Sequence, residues 1–435
     1  MRKKILTIQY FKLVAFSLLC GLVATLLGYT LKLFTGKVED FIFDKAAQHP
    51  VVYIFLPTIG ITAIYFLRKY LFKNKQNKGI KEIYLTIDNR KNELPFFKIP
   101  SHYFNGFLTV IFGGSTGVEV STVVATATVG AVMRKKAKVS KNFKTEMICA
   151  GVAAGIATLF VSPLAGLLFA CEVIARKFSK TVLLSCICAV SVSWLFLNFV
   201  VAPDPIFPNI KISAWSARAI PFMVVLSVLG GLVAVYFTKS VILIKEKFGN
   251  IKNNFLRVNI GAVLVGLSIL AFPQLYGDSY HSIPELLQRS QAGELSLSFA
   301  LILFALVLLK PVIAALSLGA GGDGGVFAPS IISGAVLGML VAVLSNKFFG
   351  THLIVLNFAL IGAAAVLSAA IHAPFTSLIL TCRLVPGGLA LFVPIMIGSF
   401  VGKYFAQWIC SYTVYSYKGK KKQKVVAELL PVEHQ

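Results

Sequence analysis

Apolar residues in this chain gather into long runs and do not alternate with polar ones. The runs fall at 10–35, 51–72, 103–133, 146–175, 181–201, 216–238, 258–276, 296–316, 325–345, 353–383 and 389–415. A helix needs roughly 20 residues to cross the hydrocarbon core of a bilayer. Several runs exceed one span and contain Gly and Pro. Those runs predict broken or re-entrant helices, because irregular backbone at membrane depth survives only where protein encloses it. The first run follows Met1-Arg2-Lys3-Lys4 and mimics a secretory signal. Its stretch 14–30 is too long for the apolar core of a signal, no Ala-x-Ala site follows, and Leu19 is bulky where a lipoprotein site wants a small residue. A retained first membrane helix is expected.

Composition agrees with an all-α polytopic membrane protein. Hydrophobic residues make up 57% of the 435 and charged residues 14%, and the mean hydropathy is +0.80. Soluble domains are about 25% charged, so this chain cannot cover a soluble sphere with polar surface. A soluble enzyme, a secreted disulfide scaffold, a fibre and a disordered chain are excluded. The net charge of +25 would suit nucleic acid, but it sits in segments between apolar runs, which points to orientation in the membrane. Lys and Arg concentrate at 1–4, 68–91, 134–144, 176–180, 239–257 and 418–424, whereas 37–50, 202–213 and 277–294 hold few. The positive-inside rule then places the basic segments and both termini in the cytoplasm of a bacterial inner membrane. The seven cysteines are scattered through apolar runs without a Cys-x-x-Cys pair and read as small core residues. The six histidines show no metal-ligand spacing, and His372 reads as a packed residue. No Ser/His/Asp set or Walker loop occurs, so neither an enzyme nor a cofactor is expected.

The chain repeats itself. Gly151, Pro163 and Cys171 match Gly362, Pro374 and Cys382 at a constant offset of 211. Upstream, Gly117-Val118-Glu119-Val120-Ser121 matches Gly325-Val326-Phe327-Ala328-Pro329 at an offset of 208. Two repeat halves at about 51–200 and 258–415 are expected, within one transport domain (1–424) followed by a short tail (425–435). In transporters such halves often run antiparallel and meet at a midplane site.

The candidate chemistry sits at the matched turns. In Gly113-Gly114-Ser115-Thr116-Gly117-Val118-Glu119, small residues interrupt an apolar run and a carboxylate then opens a helix. A charge within the membrane costs about 2.5–3.5 kcal/mol on insertion scales, but a helix N-terminus favours it. The same place attracts a free anion, so Glu119 and an anion would compete for one site. In the second half, five glycines precede Val326-Phe327, where backbone N–H groups can face a ligand without obstruction. The register makes Glu119 and Phe327 equivalent. Two helix N-termini converging on one point would bind an anion and repel a cation. Asp323 lies among those glycines with no second carboxylate near it in sequence.

These segments resemble the CLC family of chloride channels and transporters. Gly117-Val118-Glu119-Val120-Ser121 is similar to the family's Gly-Lys/Arg-Glu-Gly-Pro motif, and Gly325-Val326-Phe327-Ala328-Pro329 matches its Gly-x-Phe-x-Pro motif in full. Gly79-Ile80-Lys81-Glu82 resembles a decayed Gly-Ser-Gly-Ile-Pro motif, and Thr413-Val414-Tyr415-Ser416 the segment bearing the family's pore tyrosine. The resemblance implies an antiparallel repeat of tilted, broken helices, and a homodimer with one anion pathway per subunit. It implies Glu119 as gate. Gly117, Val118, Val326 and Phe327 would be anion-binding backbone, and the Tyr415 hydroxyl would be an inner anion ligand. Chloride or another small anion and membrane lipid are the implied partners.

The departures bear on mechanism. Val118 stands where the family has a basic residue, and Val120-Ser121 where it has Gly-Pro. The inner serine falls near Lys78, which could raise local anion concentration. Val173 aligns with the internal proton-carrying glutamate of the family's exchangers, and Glu172 lies one position, about 100°, away. The expectation is therefore a chloride channel gated by Glu119. The alternatives are a proton-coupled exchanger using Glu119 and Glu172, or a fluoride-selective relative. The roughly 20 residues after Tyr415 are too few for the paired nucleotide-binding domains of some relatives.

Overall fold

The computed structural model describes residues 2–73, 75, 77–89, 91–201, 207, 215, 217–291, 297–417 and 419. The expected tail (425–435) and most of the basic run 418–424 lie outside the described residues. Within them the chain is helical throughout. The first half holds α1 (Arg2–Ala47), α2 (Leu56–Phe66), α3 (Ile80–Asp88), α4 (Lys98–Ile111), α5 (Glu119–Lys136), α6 (Lys144–Leu159), α7 (Pro163–Phe169) and α8 (Lys180–Phe196). The second holds α9 (Ile220–Gly249), α10 (Asn254–Ala271), α11 (Ser282–Gln291), α12 (Leu297–Ala320), α13 (Phe327–Phe349), α14 (Val355–Ile371), α15 (Pro374–Cys382) and α16 (Phe392–Ile409). Among the described residues, eight helices are long and apolar enough to cross a membrane. This is a polytopic membrane protein.

Two expected loops are helix instead. α1 continues to Ala47 through the segment expected to be a loop at 37–50. α9 carries the basic segment 239–249 on its last turns. Neither 37–47 nor 239–249 contains proline, and their Lys, Glu, Leu and Ala residues are good helix formers. A helix that has already nucleated in lipid therefore propagates past the apolar boundary. The long runs break as expected, 103–133 between α4 and α5, 146–175 between α6 and α7, and 353–383 between α14 and α15.

The two halves are equivalent in backbone geometry, not only in sequence. Val161 and His372, 211 apart, both take left-handed φ, at 52° and 56°. The next residue in each case returns its N–H to the helix just ended, Ser162 to the Ala157 carbonyl at 2.9 Å and Ala373 to the Ser368 carbonyl at 3.2 Å. Pro163 and Pro374 then start α7 and α15 at a position where a missing N–H costs nothing. Upstream, Gly117 and Gly325 pair in an antiparallel bridge. Equivalent segments that pair antiparallel make the repeat an inverted one.

The centre consists of α5, α6, α13 and α14, whose residues are almost all buried. α5 packs on α6 as α13 packs on α14, and equivalent glycines allow it. A Cβ on Gly130 would strike the Met147 carbonyl, and one on Gly338 the Phe358 carbonyl. Small residues let helices approach in lipid, where no hydrophobic force drives them together. α5 is only weakly apolar, with its hydroxyls turned to its own carbonyls (Thr126 to Thr122 at 2.8 Å, Thr128 to Val124 at 2.7 Å). The outer helices carry exposed apolar residues, Leu264 and Trp408 among them.

Gly338→Leu should therefore lower the apparent melting temperature in detergent and broaden the size-exclusion peak, since overpacking costs about 1–3 kcal/mol or more. Gly36→Leu is the control, because a Cβ there meets nothing within 4 Å. Equal stability of the two variants would refute the close-packing account.

Candidate functional site

The site forms where the inverted halves meet. Val118 and Val326 are the equivalent last non-helical residues before α5 and α13, with φ and ψ of −79° and −3°, and −92° and 2°. The first N–H groups of each helix have no carbonyl one turn back to accept them. Both helix starts are buried. Val118 is 8% exposed, Val326 1% and Phe327 0%. Phe327 is braced edge-to-face by Phe169, with centroids 5.3 Å apart. The Gly117–Gly325 bridge holds the two N-termini side by side, so their positive dipole ends face one small volume.

Glu119 reaches that volume. The residue is 4% exposed. A Cβ on Gly117 would collide with both the Glu119 Oε2 and the Ala328 side chain. The carboxylate therefore folds back over Gly117, beside the first turn of α13. Tyr280 donates its hydroxyl to Glu119 Oε1 at 3.3 Å.

On the other side of the bridge stands Tyr415, 6% exposed. Its hydroxyl is 3.4 Å from where a Gly325 Cβ would lie. That hydroxyl is buried and has no hydrogen-bond partner within the protein. A buried hydroxyl left unsatisfied costs about 1–3 kcal/mol. The turn that presents it is set by Thr413 and Ser416, with the Thr413 N–H donating to Ser416 Oγ at 2.9 Å.

A cavity of about 720 Å³ opens below this point, lined at its deep end by Val120, Gly325, Val326 and Tyr415. Lys78 is exposed and lines it. The Lys78 N–H donates to the Glu82 carboxylate, which also pairs with Lys98 at 2.8 Å. The Gly-rich loop before α13 is fixed here by Asp323. Its carboxylate accepts from Asn77 at 2.6 Å and lies 3.2 Å from His102 Nδ1 and 3.8 Å from Arg68.

Glu172 and Val173 stand elsewhere. Glu172 caps α15, accepting from the Thr376 N–H at 2.8 Å, its hydroxyl at 2.7 Å and the Phe375 N–H at 3.3 Å. It is a link between the halves. Val173 is 3% exposed, with its carbonyl accepting from the Tyr84 hydroxyl at 3.0 Å.

The structure thus brings Gly117, Val118, Glu119, Val326, Phe327 and Tyr415 together, puts Lys78 at the cavity wall and keeps Glu172 apart. Sequence reasoning missed Tyr280, Asp323's role as a hub, and Lys310. Lys310 is 1% exposed inside α12. Its ammonium donates to Ser115 Oγ at 2.8 Å, the Gly277 carbonyl at 3.0 Å and Ser279 Oγ at 2.6 Å. It thereby ties the loop before α5 to the 277–279 turn. A lysine in the middle of an apolar run was the available signal.

The family described as voltage gated chloride channel matches residues 59–407. The chain belongs to this CLC family. It is 25% identical over 436 residues to the H(+)/Cl(−) exchange transporter ClcA of Vibrio cholerae serotype O1 (strain M66-2), covering 95% of this chain and 90% of the relative. It is 27% identical over 280 residues to the voltage-gated ClC-type chloride channel ClcB of Shigella flexneri, covering 64% and 65%. Among solved structures, a slow cyanobacterial Cl−/H+ antiporter superposes with a TM-score of 0.78 at 18% identity, covering 96% of this chain and 99% of that one. A CLC-type fluoride/proton antiporter superposes at 0.73 and 23%, covering 94% and 97%. These superpositions establish the CLC fold with its antiparallel repeat.

Lys310→Met should destabilise strongly, by about 3–5 kcal/mol or to failure of folding, because it leaves three buried acceptors without their shared donor. Lys252→Met, in the exposed turn before α10, should be neutral. Thermal unfolding in detergent checks both.

Proposed function

We propose that this chain carries chloride, or a similar small anion, through a pathway that passes between the α5 and α13 N-termini, with Glu119 as its gate. The observation that carries the reading is the orphaned Tyr415 hydroxyl beside two facing helix starts. A donor and two sets of free N–H groups share one acceptor-sized place, and a dehydrated anion satisfies all of them. The nearby Glu119 carboxylate fits the same donors and competes for them. Protonation or displacement of Glu119 then admits an anion. No covalent chemistry is involved, and no cofactor is needed.

Transport is read as channel-like. The inner position of exchanger proton transfer is valine here, and Glu172 is committed to the α15 N-terminus. The second reading is proton-coupled exchange, favoured by the ClcA relative and by both antiporter structures, and fluoride as substrate is favoured by one of them. The chain acts as a homodimer in a bacterial inner membrane, with the basic cavity and both termini toward the cytoplasm.

The deciding measurement follows chloride and protons together from liposomes loaded with high chloride. Chloride efflux without proton movement supports conduction, and proton uptake against its gradient establishes exchange. No chloride flux from protein that binds the anion would overturn the chloride assignment.

Flux should rise as pH falls, because protonation removes the charge that holds Glu119 on the helix ends. Glu119→Gln should raise flux by about tenfold at pH 7 and flatten that pH dependence. Tyr280→Phe should shift the same profile toward higher flux at a given pH, since it removes the hydrogen bond that holds Glu119 in place. An unchanged pH profile in Glu119→Gln would exclude Glu119 as the gate.

A further inference from the structure

The cavity below Tyr415 is more basic than a chloride pathway requires. Its wall holds seven Lys and Arg side chains, including Arg68, Lys78, Lys81, Lys245 and Arg257, against the two carboxylates of Glu246 and Asp323. Asp323 is already engaged by His102, Arg68 and Asn77. The positive charge comes from separated parts of the chain, the α2–α3 connection, the end of α9 and the start of α10. Two of the cations hold a buried donor in reserve, because the Nε atoms of Arg68 and Arg257 are buried and make no hydrogen bond. A concave wall of one sign focuses its field into the cavity. A monovalent anion gains little specificity from that arrangement. An anion with several charges along a chain can engage both walls at once, with guanidinium groups suited to its oxygens.

We propose that this cavity is a binding site for multivalent phosphate anions, the polyphosphate chain of a nucleotide or inorganic polyphosphate, which closes the pathway from this side. The volume of about 720 Å³ falls within the range that encloses drug-sized ligands. The deep end narrows to Val120, Gly325, Val326 and Tyr415, where the Tyr415 hydroxyl closes on Gly325, so a phosphate chain halts there. Its phosphates bridge Arg68 and Lys78 on one wall to Lys245 and Arg257 on the other. Bound this way it occupies an approach to the anion site from the basic side. The blocking step rests on the pathway reading above, whereas binding does not.

Both are measured separately. Tripolyphosphate, ATP and orthophosphate, all free of magnesium, are titrated by calorimetry into the purified full-length protein and added on each side of liposomes during chloride efflux. Tripolyphosphate should bind and inhibit from one side only, and orthophosphate at least about tenfold more weakly. Equal potency of tripolyphosphate and ATP assigns recognition to the phosphates, and tighter ATP binding assigns part of it to the nucleoside. Lys245→Gln with Arg257→Gln should weaken binding by about tenfold or more, with inhibition scored against that variant's own uninhibited flux. No calorimetric binding, or binding unchanged in the double variant, overturns the proposal. Binding that leaves flux intact overturns the closure. Absence of chloride flux without any phosphate present is a failure of the pathway reading alone, and calorimetry still decides the site.

Discussion

Two helices that begin side by side in the middle of a membrane protein create an electrostatic demand that the rest of the structure has to meet. Each start leaves N–H groups without acceptors, and each adds the positive end of a dipole. In water the demand would be trivial. Here Val118, Val326 and Phe327 are buried, so something negative must sit at the junction or the junction would be too costly to form. The chain supplies a carboxylate of its own in Glu119, folded back over Gly117 beside Ala328. Under the proposed function the junction can be satisfied in two ways, once by the protein and once by an anion, which is what a gate requires.

Holding that junction together falls to contacts on both of its sides. The Gly117–Gly325 bridge sets the spacing of the helix starts. Behind the first loop, Lys310 gathers Ser115, Gly277 and Ser279. Within the second, Asp323 gathers His102, Arg68 and Asn77. A buried cation anchors the loop that leads to Glu119, and a buried anion anchors the loop that leads to Phe327. Charges so placed are expensive unless fully partnered, and they fix loops that are otherwise too rich in glycine to hold one shape.

Much of the fold was legible because lipid enforces simple rules. Run lengths, the breaks at Pro163 and Pro374, and the offsets of 208 and 211 all reappear as helices, turns and paired geometry. The ends of α1 and α9 were misread as loops because charged residues were taken for the end of helix as well as the end of membrane, and helix propensity does not stop at the lipid surface. At the site, Glu119, Val326, Phe327 and Tyr415 were visible through local pattern. Tyr280 was not, because its partner is 161 residues away and a lone tyrosine in a polar turn carries no pattern. Asp323 was noticed as an acid among glycines, but its partners His102, Asn77 and Arg68 come from three other segments.

The position of Glu172 bears most directly on mechanism. One residue of register along the π-wound segment Ala170–Ala175 separates a carboxylate that caps α15 from a buried valine whose backbone carbonyl accepts from the Tyr84 hydroxyl. The Glu172 carboxylate is held by three donors at the start of α15. A valine cannot pick up a proton. The proposed pathway therefore has a carboxylate at the helix junction, in Glu119, and a valine, Val173, at the position expected to match the exchangers' inner glutamate. Any proton that crosses would have to use a route built from other groups, whereas an anion meets donors at each point from the basic cavity to the helix junction.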